Sequence, residues 1–332
     1  MHKFLIIQTA FIGDVVLATA VAEDLKLHFP EARIDMLLRK GNELLLSDHP
    51  FIGKVWIWNK KKNKLRNLFK LAKEIRREEY DDVINLQRFF SSGLLTVLSG
   101  AKTKRGFNKN PLSAFFDIKR DHIMTKDGLL HETERNKQLI DDIVGSSIAR
   151  PRLYPSEIDY EKVKHLKQNP YICCAPASVW HTKQYPKSHW ISFINAVPAE
   201  IDVYLLGGPG DQKLCQEIIS GSAHLKARDL SGSLSFLESA ALMKGALMNY
   251  VNDSAPMHFA SAVNAPVTAI YCSTVTNFGF GPLSDKKHVV EIDYDLYCRP
   301  CGLHGYKSCP QKHFKCAHDI PHNRLIEILN ER

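Results

Sequence analysis

The chain has 332 residues, 44% of them apolar and 24% charged, which is length for about two domains and too much burial drive for a disordered chain. No apolar run approaches the ~20 residues that a membrane-spanning helix needs. The Met1-His2-Lys3 start runs straight into a strand-like stretch, so the sequence predicts no cleaved leader and a cytoplasmic protein.

In chain order, residues 4–9 read as a β-strand, Gly13 as the turn after it and residues 15–28 as a helix. A strand over 33–38, a break at Gly41 and a helix over 42–47 follow, then a strand over 55–58 and a long amphipathic helix over 64–79. Residues 82–87 form the next strand and 91–99 the next helix. Between 148 and 169 the pattern breaks. Pro151, Pro155 and Pro170 punctuate a charged stretch that reads as a connection between domains, giving domains 1–158 and 159–332. The alternation then resumes with strands at 171–175, 202–206, 248–252 and 267–271. The intervening helices fall at 188–196, 211–220, 236–244 and 255–262, with a closing helix at 324–329. Alternating strands and helices predict an α/β chain of two doubly wound domains, each with a parallel sheet covered on both faces. Two such domains facing a central cleft bind ligands at the carboxyl ends of their strands.

Lys and Arg total 44 against 36 Asp and Glu, a net charge of +8 concentrated in residues 60–73 and 102–109. These stretches are either a solvated helix face and a polar loop, or a basic surface for an anionic partner.

The residues on the carboxyl-end loops carry the chemistry. Asp14, after Gly13, stands near a helix start: it is either a helix cap or a carboxylate able to take a proton from an incoming hydroxyl. The loop lacks the GxGxxG pattern of dinucleotide sites. In the second half, Ser178, Thr182 and Lys183 follow a strand, where small residues and a point charge suit a phosphate, although a plain polar loop fits as well. Gly207 and Gly208 lead into a helix, and so do Asp253, Ser254 and Ala255, with His258 one turn on. Free amides at a helix start favour anions, but plain turn geometry explains Gly207 and Gly208 equally well, and the alternative for His258 is a packed histidine. Taken together, a donor phosphate held by the second domain and a base from the first form the logic of a transferase.

These residues, in this order, resemble glycosyltransferase family 9, the lipopolysaccharide heptosyltransferases with a GT-B fold of two Rossmann-like domains. The resemblance rests on Ile12-Gly13-Asp14, Ala177-Ser178 with Thr182-Lys183-Gln184-Tyr185-Pro186, Leu206-Gly207-Gly208 with Asp211, and Asn252-Asp253-Ser254-Ala255-Pro256-Met257-His258. Asn85-Leu86-Gln87, Arg105-Gly106-Phe107 and His131-Glu132 with Arg135-Asn136 add to it. It implies transfer of a heptose from ADP-heptose to the lipid A–Kdo core or a preceding heptose, with inversion and Asp14 as general base. On the same basis Ser178, Thr182, Lys183, Gly207, Gly208 and the 253–258 segment hold the donor. Arg88 and Arg105 are the expected acceptor contacts, the acceptor is a phosphorylated lipid, and the enzyme lies peripherally on the inner membrane with no nucleic-acid partner. Ser254-Ala255 and Tyr185 depart from the common family pattern, which bears on the identity of the donor sugar.

Of the eight cysteines, Cys173, Cys174, Cys215 and Cys272 sit among apolar neighbours and read as core thiols. Cys298, Cys301, Cys309 and Cys316 cluster with His304, His313 and His318, a spacing open to structural zinc, to disulfides or to free thiols. No cofactor is needed for the transfer itself. The competing readings are another GT-B transferase or an epimerase using a different nucleotide-sugar, and a basic zinc-containing nucleic-acid-binding protein.

Overall fold

The computed structural model describes residues 1–60, 63–124, 128, 130–145, 149–321 and 323–331. Lys61 and Lys62 of the basic run and Ile148 at the head of the expected connection lie outside them. The chain divides into two compact units, the first made of Met1–Met124 with Leu130–Tyr154 and the second chiefly of Pro155–Arg332.

Among the described residues, the first unit contains β1 (Lys3–Ile7), α1 (Ile12–His28), β2 (Arg33–Arg39), β3 (Ile52–Trp58), α2 (Lys64–Arg76), β4 (Asp82–Asn85), α3 (Phe90–Leu98), β5 (Thr103–Phe107), β6 (Ile118–Arg120), α4 (Glu132–Lys137) and α5 (Asp141–Val144). Its strands run parallel in the order β3-β2-β1-β4-β5-β6. Leu5 and Ile7 of β1 pack with Leu68, Leu71 and Ile75 of α2 on one face, and Phe4 and Ile6, which alternate with them, are equally buried. Both faces are covered, as a parallel sheet requires. Helix α1 is buried along Val15–Ala22, and it packs against α4 and α5 as well as β2. The almost wholly apolar run Val15–Ala22 follows from that double burial.

The second unit contains α6 (Glu157–Val163), β7 (Tyr171–Ala175), α7 (Lys187–Ala196), β8 (Asp202–Leu205), α8 (Gln212–Gly221), β9 (Ala227–Asp229), α9 (Phe236–Lys244), β10 (Asn249–Asn252), α10 (Ala255–Ala262), β11 (Val267–Ile270), β12 (Lys287–Val290), α11 (Lys315–His318) and α12 (Asn323–Asn330). Its parallel order is β12-β11-β10-β7-β8-β9. Cys174, Cys215 and Cys272 belong to one core cluster with Trp190, Phe193 and Leu325, and Cys173 is buried as well. All four are core thiols, as their apolar neighbours indicate.

Several expectations need correction. The helix expected over 64–79 stops at Arg76, because Glu79 takes a left-handed φ of 52°. Residues 42–47 make only a 3₁₀ turn, Glu43–Leu46. The basic stretch 102–109, read as a polar loop, contains β5: Arg105 enters the interior because Asp82 on the adjacent strand neutralises it. The connection expected over 148–169 contains α6, opened by Ser156 and Asp159, whose side chains each accept the other's backbone N–H. The division between the units falls at Tyr154/Pro155, so α6 lies wholly in the second. β6, β9 and β12 are three- or four-residue edge or near-edge strands with too little pattern to read.

Candidate active site

In each sheet the strand order reverses once, between β1 and β4 and between β7 and β10, and loops leaving such a switch point part to form a ligand crevice. In the first unit the two loops meet directly: the Gln87 side-chain amide donates to the Gln8 side-chain carbonyl. Asn110 Nδ2 donates to the Gln87 carbonyl at 2.9 Å and fixes the second loop from below.

Asp14 lies in the first turn of α1. Phe11 stands at the cap position and has no side chain to offer there, so Asp14 Oδ2 accepts the Phe11 N–H at 3.1 Å. Asp14 therefore does serve the helix end. It is nevertheless held high: burial first, and then the charge of Glu132, raise its carboxyl to about 6, against opposing pulls from the Phe11 and Asp14 N–H groups and Arg39. Glu132 stays ionised beside it, since His122 at 3.0 Å and Arg135 at 2.9 Å hold its carboxyl below the ordinary value despite burial. The two carboxyls are thus pushed apart by their environments, the arrangement that acid–base chemistry requires.

Lys60 belongs to the same loop cluster. Its ammonium donates to the Thr9 carbonyl at 2.8 Å and lies over the Trp58 ring, and burial lowers it to about 8. The Arg39 guanidinium rests over Phe11, 4.9 Å from the ring centroid. Neither cation stood out in the sequence, where Lys60 is one member of a charge run. Arg88 is exposed beside Phe89. Arg105 is corrected as an acceptor contact. It is 4% exposed and is consumed by Asp82 at 2.6 Å, Asp142 at 2.5 Å and the Leu139 carbonyl.

In the second unit, Asn252 at the end of β10 holds both ends of the loop that follows β7. Its Nδ2 donates to the Pro176 carbonyl at 2.7 Å, and its Oδ1 accepts the Tyr185 N–H at 3.0 Å. Ser178 is half-buried on this loop, and Lys183 lies 2.6 Å from Asp253 at the head of α10. The sequence motif thus becomes one ion pair. Asp253 does not face an anion itself: its Oδ2 takes both Lys183 and the Thr274 hydroxyl, at 2.6 Å each. The expectation that Thr182 touches the donor is likewise corrected, since it is 1% exposed and bonded to Tyr306 and Ser273.

Ser254 stands at the cap of α10 with its hydroxyl turned to the Asn252 carbonyl, and His258 is buried on the same helix. Gly207 cannot carry a side chain, because a Cβ there would fall 2.9 Å from Asp211 Cβ and 3.0 Å from Asp211 Oδ2. The Gly208 N–H donates to Asp211 Oδ2 at 2.8 Å, so that amide serves the turn rather than standing open. A cavity of about 230 Å³ is lined by Val275, Asn277, Tyr294, Asp295, Leu296, Arg299 and Pro300, none of which the sequence reading had assigned to the donor.

The cysteine cluster does not fit zinc as placed. All eight cysteines are free thiols. Cys298 Sγ lies 3.8 Å from His313 Nε2, and Cys316 is pushed up to about 12 by burial and then by Cys301, Cys309 and Cys298. Yet no three His, Cys, Asp or Glu side chains among the described residues gather closely enough to hold a metal ion.

The family model of glycosyltransferase family 9 (heptosyltransferase) matches residues 68–307. The chain belongs to this family. It is a glycosyltransferase, and its two parallel sheets are those of a GT-B enzyme. Lipopolysaccharide heptosyltransferase 3 of Escherichia coli is 29% identical over 282 residues, covering 80% of this chain and 82% of that one. The structure of E. coli ADP-heptose lps heptosyltransferase II superposes with a TM-score of 0.82 at 22% identity, covering 99% and 97% of the two chains. E. coli heptosyltransferase WaaC with ADP gives 0.73 at 20% identity, with 99% of both covered.

Proposed function

We propose that this glycosyltransferase moves a heptose from ADP-heptose to the inner core of lipopolysaccharide, onto lipid A–Kdo or a preceding heptose, with inversion at the anomeric carbon. The observation that carries the reading is Asp14. A carboxyl raised to about 6, in the first helical turn after the switch point of the first sheet, is ionised at neutral pH yet basic enough to accept the proton of an acceptor hydroxyl. Attack from the side opposite the leaving group gives inversion. The departing ADP needs no strong general acid, because its charge is what must be stabilised. Lys183 serves that purpose, with Ser178, the loop at Gly207 and Gly208, and the first amides of α10 at Ser254 and Ala255 beside it. His258 supports α10 from within. The names of the relatives, which include an ADP-heptose heptosyltransferase and a complex with ADP, support the donor.

The acceptor is a phosphorylated lipid, and Arg88 is its first contact in this reading. Contact with the inner membrane surface is part of the same proposal. Among the described residues no helix is long and apolar enough to cross a membrane. Helix α2 instead offers an outer face on which Leu65 and Phe69, one turn apart, are 65% and 55% exposed. Five Lys or Arg accompany them on α2 against Glu74 alone. An apolar pair ringed by cations suits the boundary between anionic headgroups and acyl chains.

The deciding experiment incubates the purified protein with ADP-heptose and core acceptors ending in Kdo or in a heptose, measures ADP release and determines the new anomeric configuration by NMR. ADP release that depends on the acceptor, with an inverted product, supports the reading. Turnover of UDP-sugars with ADP-heptose left intact would overturn it in favour of another GT-B transferase or an epimerase.

A further inference from the structure

The cysteine-rich segment has no part in the reaction as proposed, yet it is laid against the loop that carries Lys183. The Thr182 N–H donates to the Tyr306 carbonyl at 3.1 Å, and the Tyr306 N–H donates back to Thr182 Oγ1 at 2.7 Å. The Ser273 hydroxyl, at the end of the loop that follows β11, donates to the same Thr182 oxygen at 3.1 Å, and the Ser273 carbonyl accepts the Cys301 N–H at 2.7 Å. Thr182 is thus a buried node joining three stretches distant in sequence. Its neighbour in the chain is the lysine.

A second set of bonds reaches Lys183 from the other side. Arg299 Nε donates to the Cys272 carbonyl and its Nη2 to the Thr274 carbonyl, both at 2.8 Å, and the guanidinium is neutralised by Glu291. The Thr274 hydroxyl so placed donates to Asp253, and Asp253 takes the Lys183 ammonium. Between the two sets lies Gly305, at a φ of +75°. A Cβ at this position would meet Thr182 Oγ1 at 2.8 Å, Ser273 Oγ at 3.2 Å and Lys183 Cγ at 3.3 Å. The segment can approach the lysine this closely only because residue 305 has no side chain and tolerates the left-handed backbone.

We infer that residues 299–306 are a positioning clasp for Lys183, in which Thr182 and Gly305 are positioning residues that act on the donor diphosphate through the lysine. The inference rests on the reading that Lys183 holds that diphosphate. Its physical basis is preorganisation: a lysine with four rotatable side-chain bonds stabilises developing charge best when its loop and counter-ion are fixed before the donor arrives.

The test measures ADP affinity by calorimetry, donor and acceptor KM and kcat for Lys183→Ala, Thr182→Val, Thr182→Ser and Gly305→Ala, with thermal unfolding of each. Thr182→Val keeps the shape of the node and removes its acceptor oxygen. It is expected to weaken ADP binding and raise donor KM by about fivefold, the size of one or two lost hydrogen bonds, with acceptor KM unmoved. Thr182→Ser recovers most of that loss. In a Lys183→Ala background, Thr182→Val has no further effect on ADP affinity, because the clasp acts only through the lysine. Additive effects in that double variant, or unchanged donor parameters in Thr182→Val, would overturn the inference. If Lys183→Ala itself leaves ADP affinity and turnover intact, the diphosphate assignment fails instead, and the two failures are distinct. Gly305→Ala reproduces the Thr182→Val effect when it folds. If it does not fold, the Thr182 pair decides alone.

Discussion

Lys183 Nζ lies 2.6 Å from Asp253 Oδ2, and the same oxygen accepts the Thr274 hydroxyl. The lysine is therefore aimed by a negative charge, and under the proposed function the donor diphosphate shares the lysine with it. Lys183→Met is expected to lower kcat/KM by about 10²–10³, the usual cost of removing a group aimed at developing charge. Asp253→Asn separates aiming from binding: kcat falls while ADP affinity does not weaken, since a like charge beside the diphosphate has been removed. Steady-state kinetics with an ADP titration checks both.

Asp14 should give the acid limb of the pH profile. With its carboxyl at about 6, log kcat/KM is expected to fall with unit slope below about pH 6 and to level off above it. Asp14→Asn removes that limb and lowers kcat by about 10²–10⁴, with ADP binding kept. Glu132→Gln removes the second cause of the shift, so the limb moves to lower pH. The effect on stability has the opposite sense. The folded chain binds the Asp14 proton more tightly than the unfolded chain, so this group's contribution to stability falls as pH rises from about 4 through about 6. Asp14→Asn should then be more stable than the parent at neutral pH, which urea unfolding at pH 5 and pH 7.5 tests.

Arg105 and Arg88 should separate cleanly. Arg105→Met leaves Asp82 and Asp142 without their buried partner and is expected to cost about 3–5 kcal/mol in urea unfolding. Acceptor KM of whatever remains folded stays put. Arg88→Ala has the reverse signature, with stability unchanged and acceptor KM several-fold higher. A rise in acceptor KM in folded Arg105→Met would restore Arg105 as a contact.

The exposed pair on α2 predicts binding to anionic vesicles that weakens with salt. Leu65→Ser with Phe69→Ser removes two side chains worth about 1.5–3 kcal/mol each when fully buried, so sedimentation with phosphatidylglycerol vesicles should fall by at least about tenfold. Turnover of a short, water-soluble acceptor is expected to be unchanged. Vesicle binding that survives the double substitution would move the membrane contact elsewhere.

What the sequence determined by itself was whatever is local. Strand and helix alternation, with Gly207 at a loop position, fixed the doubly wound architecture, because period and turn chemistry are properties of neighbouring residues. The motifs likewise placed Lys183 and Asp253 on carboxyl-end loops and Asp14 at the helix start that follows one. The tertiary structure decided the partners. That Arg105 is spent on Asp82 and Asp142, that Asp14 is raised by burial and Glu132, and that Asp253 faces a lysine are facts about side chains brought together from 23 to 118 residues apart. The same holds for the tail. Its cysteine spacing left structural zinc, disulfides and free thiols open, whereas its packing against Thr182 and Ser273, invisible in any spacing, links it to the loop that carries Lys183. Electrostatics and close approach depend on distance through space, which a linear pattern does not carry.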